Sequence, residues 1–150
     1  MSNWDFYKAN INQNIASIYL DLDAKLDLEE NNLDTLSWLF IKLKYERDDG
    51  LSHDDEFDAL CDYEDNIENA IEGSEIHYVG RITTNGMRQF YFYSADSSLF
   101  EKVINDVLDS KSDYLYQIGS KPDPEWNQFK NVLYPGEHGL NQIQSREGDT

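Results

Sequence analysis

Hydrophobic and polar positions alternate along two segments of the chain, in the way that half-buried strands require. Residues 15–23 place Ile18 and Leu20 on one side and polar residues on the other. Residues 36–46 alternate between an aliphatic side and a side that carries Trp38. Because successive side chains of a strand point to opposite faces, both segments are predicted to be strands with one buried face.

The pair Asn85-Gly86 predicts a two-residue hairpin turn between residues 76–84 and residues 87–93. Asn-Gly is the preferred pair for such a turn because both of its positions need a positive φ. The turn then fixes the predicted cross-strand partners, which are Arg81 with Phe90, Val79 with Phe92 and Tyr78 with Tyr93. A further strand is predicted over residues 114–118.

Two other segments space their apolar residues three and four apart, which is the pattern of amphipathic helices. The first covers residues 53–72, between the N-cap Ser52 and Gly73, and the second covers residues 97–109 after the N-cap Asp96. The predicted buried stripes are Phe57, Leu60, Cys61, Ile67 and Ile71 in the first helix, and Phe100, Val103, Ile104 and Val107 in the second. Cys61 is accordingly expected to be a buried, reduced thiol.

The two ends of the chain show weaker patterns. Residues 4–8 form a short aromatic segment, either a strand or a first turn, and the acidic, Asn-rich residues 24–34 are expected to be a loop. Asp123, which is followed by proline, favours a short helix over residues 124–133. Residues 137–150 are polar and are expected to be a frayed tail.

From residue 36 onward the predicted elements follow the order β-α-β-β-α-β. This order is typical of the ferredoxin-like fold, and both helices are expected to pack on one face of the sheet. We therefore expect an α+β protein with a ferredoxin-like core, an N-terminal strand extension and a short C-terminal helix. At 150 residues, a single domain spanning 1–150 is expected from size.

Net charge changes this picture more than any motif does. The chain has 30 Asp and Glu residues against 12 Lys and Arg, which gives a formal net charge of −18. Nine of the acids lie between Asp54 and Glu72, in a segment that contains neither Lys nor Arg. Such a surface repels nucleic acid and anionic membranes and attracts basic proteins over long range. A basic protein is therefore the expected class of partner.

The sequence contains no pattern that indicates catalysis. His53, His77 and His138 are dispersed, and none of them belongs to a zinc or Ser-His-Asp signature. The acids within residues 21–23 and 54–56 could bind a metal in principle, but they lack the spacing of a calcium loop. The expectation is a protein without a cofactor and without enzymatic activity.

The sequence also indicates the cellular compartment in which the protein is expected to act. Its start has neither a basic stretch nor an apolar run, so no signal peptide is expected. No segment approaches the apolar length that a membrane helix needs. The single cysteine cannot form an internal disulfide. The cytoplasm is therefore the expected location.

Aromatic residues on the predicted sheet suggest a second kind of contact. RNA-recognition motifs place stacking aromatics on the corresponding strand, but the glycines of the RNA signature are absent here. The acidic chain would also repel a phosphate backbone. Trp38 and Tyr91 are instead expected to be anchors for a protein partner, provided that they are exposed.

Several motifs resemble those of one known family. They are Trp4 with Phe6-Tyr7, Asp49-Gly50-Leu51, Tyr78-Val79-Gly80-Arg81, Arg88-Gln89-Phe90-Tyr91-Phe92-Tyr93, Asp123-Pro124-Glu125-Trp126 and Leu133-Tyr134-Pro135. This pattern, which covers nearly the whole chain, is similar to the domain of unknown function 695 family. Members are bacterial, and some are fused to a domain resembling the acidic protein regulator of ribonuclease E. The resemblance implies a ferredoxin-like regulatory fold and supplies no catalytic residues.

Together these observations predict a non-enzymatic acidic inhibitor that occludes a basic toxin or ribonuclease, as an immunity protein does. The predicted partner-binding residues are Asp54, Asp55, Asp58, Asp62, Asp65, Trp38 and Tyr91. Two alternatives stay open. One is a carboxylate- or metal-dependent enzyme, and the other is a structural or assembly module whose acidity serves only solubility.

Overall fold

The computed structural model describes residues 3–45, 47–111 and 114–148. The strands in these ranges are β1 (Trp4–Ile11), β2 (Asn14–Asp21), β3 (Thr35–Lys42), β4 (His77–Thr84), β5 (Met87–Ser94) and β6 (Tyr116–Pro122). The α-helices are α1 (Ala24–Asn31), α2 (Phe57–Ile71), α3 (Ser97–Lys111) and α4 (Glu137–Gly148). A 3₁₀ turn (Asp54–Glu56) precedes α2, and a π-helical turn (Phe129–Leu133) precedes α4. None of the described helices combines the length and the apolar content needed to cross a bilayer.

The described strands form one antiparallel sheet in the order β1-β2-β4-β5-β3-β6. The predicted α+β class is therefore confirmed. The finer prediction of a ferredoxin-like sheet is not matched, because that fold has four strands and this sheet has six. The additional strands are β1 and β2, which form a hairpin and extend the sheet beside β4.

Alternate residues of the strands build two hydrophobic cores, one on each face of the sheet. Phe90 and Phe92 of β5 point to one face, where residues of α2 and α3 pack in the same core. Tyr91 and Tyr93 point to the other face, where α1, the π-helical turn and α4 contribute to the core. α2 and α3 thus share one face, as the sequence predicts.

The predicted hairpin turn joins β4 and β5, and both of its residues have a positive φ. Near the turn the predicted register is correct, since Arg81 pairs with Phe90. Farther along, a bulge at Val79 shifts the register by one residue, so that Tyr78 pairs with Phe92. The predicted pairs beyond the bulge are wrong, because a bulge sets two residues of one strand against one residue of the other.

The segment predicted to be a loop before β3 contains helix α1. Ala24 and Leu28 are fully buried, one helical turn apart, and Leu33 joins the same core. Polar residues surround these few apolar positions, so no amphipathic stripe is visible in the sequence. Tertiary packing stabilises so short a helix more than intrinsic propensity does.

The expected frayed tail is instead helix α4, which runs to the end of the described residues. Gly139 lies so close to the Tyr7 ring that a Cβ there would come within 2.7 Å of it. Ile143, one turn later, is buried in the same core. The side-chain amide of Gln142 accepts a hydrogen bond from the Lys8 backbone N–H (3.0 Å) and donates one to the Lys8 carbonyl (2.8 Å). α4 therefore packs along β1, at one edge of the sheet.

Asp123 organises the chain between β6 and the π-helical turn. Its carboxylate accepts hydrogen bonds from the backbone N–H groups of Asn127 (2.9 Å) and Gln128 (3.0 Å) and from the Tyr93 hydroxyl (2.7 Å). Burial opposes ionisation of this carboxyl, but the hydrogen bonds outweigh burial and lower its pKa. Asp123 therefore caps the following turn, as predicted. The helix predicted over 124–133 is shorter than expected, because Trp126 has a positive φ (57°) and the helical residues begin only after it.

The buried stripe of α2 is narrower than predicted. It consists of Leu60, Tyr63, Ile67 and Ile71. Phe57, the first residue of α2, is 66% exposed and lines a surface pocket, and Cys61 is also exposed. Both were expected to be buried, so these two predictions are wrong. Cys61 follows Leu60 directly, and one step along an α-helix rotates the side chain by about 100°, out of the buried stripe.

Candidate functional site

The acids predicted to bind a partner lie together on the outer surface of α2 and of the 3₁₀ turn before it. Asp54 and Asp55 belong to the turn, and Asp58, Asp62 and Asp65 lie in α2. All of these side chains are exposed. Neither the turn nor the helix contains Lys or Arg, so the carboxylates form one negatively charged surface, which we call the acid row.

The predicted aromatic anchors lie away from the acid row. Trp38 and Tyr91 belong to the core on the sheet face opposite α2. Trp38 is half-buried, and its ring covers Gly119 so closely that no space is left for a Cβ at that position. Tyr91 is only 6% exposed, so it lacks the exposure that an anchor in the unbound protein needs. The structure therefore brings the acids together but does not join the aromatics to them.

A surface pocket of about 440 Å³ opens beside the acid row, and we call it the arginine pocket. Arg81 and Arg88 line it from the sheet, and Ser52 and Cys61 line it from the loop before α2 and from α2 itself. This site was not predicted from the sequence. The sequence nevertheless contained an indication of the pocket. The hairpin register places Arg81 and Arg88 on the same strand face as Phe90, and helices cover that face.

Arg81 is neutralised inside the arginine pocket. Its guanidinium forms an ion pair with Glu64 of α2 and lies 4.5 Å from the centre of the Tyr19 ring. Burial lowers the pKa of Arg81, but Tyr78 and Glu64 raise it by more, so the guanidinium remains charged. Glu64 lies between Leu60 and Ile67 on the sheet-facing side of α2, and this ion pair explains why an acid occupies that position.

Arg88 is buried without such a partner. The residue is 9% exposed, and its guanidinium donates to the hydroxyls of Thr83 (Nε, 3.0 Å) and Ser52 (Nη2, 3.4 Å). Among the described residues, no carboxylate oxygen lies within 4.0 Å of it. Burial, followed by the charge of Arg81, lowers the pKa of Arg88 to about 10. At neutral pH Arg88 is therefore still a cation.

Glu56 is a buried acid that supports the start of α2. It is 1% exposed, and its carboxylate accepts hydrogen bonds from the Tyr45 backbone N–H (2.6 Å) and the Tyr114 hydroxyl (2.6 Å). These bonds tie the 3₁₀ turn to the segments that follow β3 and precede β6. Glu56 was predicted to belong to the acidic surface, but it is buried and its role is structural.

A larger pocket of about 790 Å³ lies at the end of the sheet, near the turn between β4 and β5. Side chains of both charges line it, including Lys42, Arg47 and Asp49. Gly50 closes one side, with a φ of +75° and so little space that a Cβ would come within 2.7 Å of the Asn85 backbone. Because its charges are mixed, this pocket indicates no definite ligand chemistry.

Within the described residues, no group of three or more His, Cys, Asp and Glu side chains is arranged to hold a metal ion. His53 Nδ1 lies 3.6 Å from the Asp55 carboxylate, and it accepts a hydrogen bond from the Asp55 backbone N–H (3.1 Å). His53 thereby caps the 3₁₀ turn, a role that was predicted for Ser52. The side chain of His138 lies outside the described part of the structure.

The distinctive chemistry of this site is charge, with an acid row beside a buried arginine.

Comparison with known proteins gives a match to a protein family. No curated protein and no solved structure matches the chain significantly. The model of one protein family, described as a family of unknown function (DUF695), matches residues 2–134. The match takes in the whole sheet, α2, α3 and the Asp123 turn, and it ends before α4. Since it covers most of the chain, this protein belongs to the DUF695 family.

Proposed function

We propose that this protein is a non-enzymatic inhibitor that binds a basic protein through the acid row. The observation that carries the proposal is the row itself, a set of exposed carboxylates on a turn and a helix that contain neither Lys nor Arg. Like charges three or four residues apart destabilise a helix by a few tenths of a kcal/mol per pair. A binding role explains why α2 keeps several such pairs.

The acid row has a rigid support. Leu60 and Ile67, on the opposite side of α2, are 2% and 1% exposed. A preformed surface loses little conformational entropy on binding. Its electric field also accelerates the encounter with a cationic partner.

A nuclease is the favoured class of partner. A groove built for phosphates is cationic, so a rigid acidic surface can be steered into it and can occlude it. The net charge of −18 repels nucleic acid, and it therefore favours contact with the enzyme over contact with the enzyme's substrate. In this proposal the protein acts in the bacterial cytoplasm, as an immunity protein or a ribonuclease inhibitor.

The order of the inner strands supports a ferredoxin-like core as part of the proposal. The four strands of the predicted β-α-β-β-α-β unit are neighbours in the sheet, in the order β6-β3-β5-β4. The hairpin of β1 and β2 then adds two strands beside β4. α2 and its acid row lie on one face of that core.

The test compares two triple variants that lose the same charge from different surfaces. The first replaces three members of the acid row with Asn: Asp58, Asp62 and Asp65. The second replaces three exposed acids on other surfaces with Gln: Glu30, Glu101 and Glu125. In the test, the immobilised wild-type protein is incubated with a bacterial lysate at low salt, and each basic protein that it captures is assayed for nuclease activity and for inhibition of that activity.

The acid-row variant should associate with the captured nuclease about tenfold more slowly than wild type, with a flatter salt dependence, because steering charges act on the association rate. The second variant should associate at close to the wild-type rate. Equal rates for the two variants would show that α2 is not the binding surface. Capture of no basic protein, or of nucleases whose activity is unaffected, would contradict the inhibitor function itself.

A further inference from the structure

The arginine pocket contains a cation with unused hydrogen-bonding capacity. Both described hydrogen bonds of Arg88 go to neutral hydroxyl groups, those of Thr83 and Ser52. Its Nη1 donates a hydrogen bond to none of the described acceptors. Nη1 is not a fully buried atom, so solvent reaches it. A guanidinium with an accessible end can bind an oxyanion through two parallel N–H···O bonds.

The charges around the pocket leave Arg88 uncompensated. Arg81 and Glu64 neutralise each other in their ion pair. Asp54 and Asp65 of the acid row also line the pocket, but both side chains are exposed. Water and salt screen exposed charges much more than they screen a buried one. The floor of the pocket is therefore cationic, although the helix beside it is acidic.

We propose that the arginine pocket binds a small oxyanion, a carboxylate or a phosphate group, on the guanidinium of Arg88. The Ser52 hydroxyl accepts a hydrogen bond from Nη2, and its own hydrogen can be donated to the same anion. The volume of about 440 Å³ lies within the usual range for small-molecule sites. This ligand is separate from the basic protein partner, and it gives Arg88 the anionic acceptor that the described residues do not supply.

The wild-type protein can report this binding in two ways. The Nε–H group of Arg88 gives an NMR signal, which is assigned by its loss in the Arg88→Lys variant. Cys61, the single cysteine of the chain, is exposed and lines the pocket, so an occupant should slow its alkylation by the uncharged reagent iodoacetamide. The probes are sodium phosphate and sodium acetate, each compared with sodium chloride at the same ionic strength.

We expect at least one of the two oxyanions to shift the Arg88 signal and to slow Cys61 alkylation saturably, with a Kd on the order of 1 mM. An effect of phosphate alone identifies a phosphate group as the ligand, and an effect of acetate alone identifies a carboxylate. Effects of both identify a general oxyanion site. Arg88→Gln should abolish the slowing. Lys102→Gln, which removes one exposed positive charge from α3, should retain it.

Two results would overturn the proposal. One is the absence, in wild type, of any shift or slowing beyond that caused by chloride. The other is equal slowing in wild type and in a folded Arg88→Gln variant. If circular dichroism shows that Arg88→Gln does not fold, the wild-type titrations against chloride decide the question. Neither result affects the test of the acid row, which uses a protein partner.

Discussion

The carboxylate of Asp123 and those of the acid row occupy opposite environments in this protein. On one face of the sheet, Asp123 is 5% exposed and accepts hydrogen bonds from two backbone N–H groups and a tyrosine. On the other face, the acid row is exposed along a helix that contains no Lys or Arg. The pKa of Asp123 is lowered by its donors. The pKa of Glu68, near the end of the row, is raised by partial burial and then by Glu64 and Asp65.

This difference separates carboxylates that stabilise the fold from carboxylates that do not. Removing Asp123 leaves donors in the core without their acceptor, which costs stability. Removing members of the acid row relieves repulsion, so it should help stability even where it weakens binding. Measurements of stability on the two sides can test this contrast directly.

The largest effect is expected beneath the acid row. Leu60→Ala should lower the free energy of unfolding by about 2–5 kcal/mol, because the truncation leaves a cavity in the core. Phe57→Ala, three residues earlier, should change it by about 0.5 kcal/mol or less, since that ring is largely exposed. Denaturant unfolding followed by circular dichroism measures both. Equal losses would mean that α2 is packed differently and that the acid row lacks its rigid support.

The next effect is expected at Asp123. Asp123→Ala should cost about 2–4 kcal/mol, the sum of a lost N-cap and an unsatisfied Tyr93 hydroxyl in the core. The lowered pKa sets the sign of the pH dependence. The stabilisation is fully present above the ordinary pKa of 3.8, and it is lost as the pH falls through the lower pKa of the folded state.

Urea unfolding of wild type and Asp123→Ala, measured from pH 7 to about pH 2, checks both points. The gap between the two proteins should narrow in acid. A gap that is the same at every pH would show that the charge of Asp123 contributes nothing to the fold.

A smaller effect of opposite sign is expected from the acid row. The triple variant with Asn at positions 58, 62 and 65 should gain about 0.5–1 kcal/mol at about 10 mM salt and less at about 300 mM salt, where repulsion is screened. The control variant with Gln at positions 30, 101 and 125 should gain less, because its charges lie far apart in the sequence. Melting temperatures at the two salt concentrations measure this. Identical melting of wild type and the acid-row variant would show that repulsion in the row is insignificant.

The smallest effect is expected at Glu68. Because its pKa is raised in the folded state, its ionised form destabilises the fold at neutral pH. This penalty disappears as the pH falls from the raised pKa to the ordinary value of 4.5. Glu68→Gln should therefore stabilise by a few tenths of a kcal/mol at pH 7 and by almost nothing below about pH 4. A gain that persists in acid would point to packing as its cause.

The parts of the fold that could be predicted depend on short-range signals. Asn85-Gly86 specifies its hairpin turn by local conformation alone. Asp96 accepts a hydrogen bond from the Ser98 N–H (2.9 Å), as its predicted capping role requires. The bulge at Val79 was not predicted, because Tyr78 and Val79 are both apolar and both fit a buried position in either register.

The two helices that were not predicted, α1 and α4, are each held in place by few apolar residues. α1 is anchored mainly by Ala24 and Leu28, and α4 by Gly139 and Ile143. Such contacts depend on the sheet being in place and leave no periodic pattern. The prediction that Tyr91 is an exposed anchor failed for the same reason. α1 and α4 cover its side of the sheet, and neither helix was predicted.

For the candidate site, the helical period sufficed to place the acid row on one exposed surface. The arginine pocket could not be derived in the same way, because it depends on how α2 lies across β4 and β5. The pairing of Arg81 with Glu64 and the solitary position of Arg88 are consequences of that packing. The register alone indicated only that both arginines face the helices.

The side-chain amide of Gln142 covers part of one edge of the sheet. It occupies both hydrogen-bonding groups of Lys8 on β1, the outermost strand on that side, as an added strand would. Polymerisation by strand addition requires each molecule to offer an accessible edge at both ends of its sheet. The pairing closes β1 at this point, so a helix with little sequence signal obstructs the addition of a further strand here.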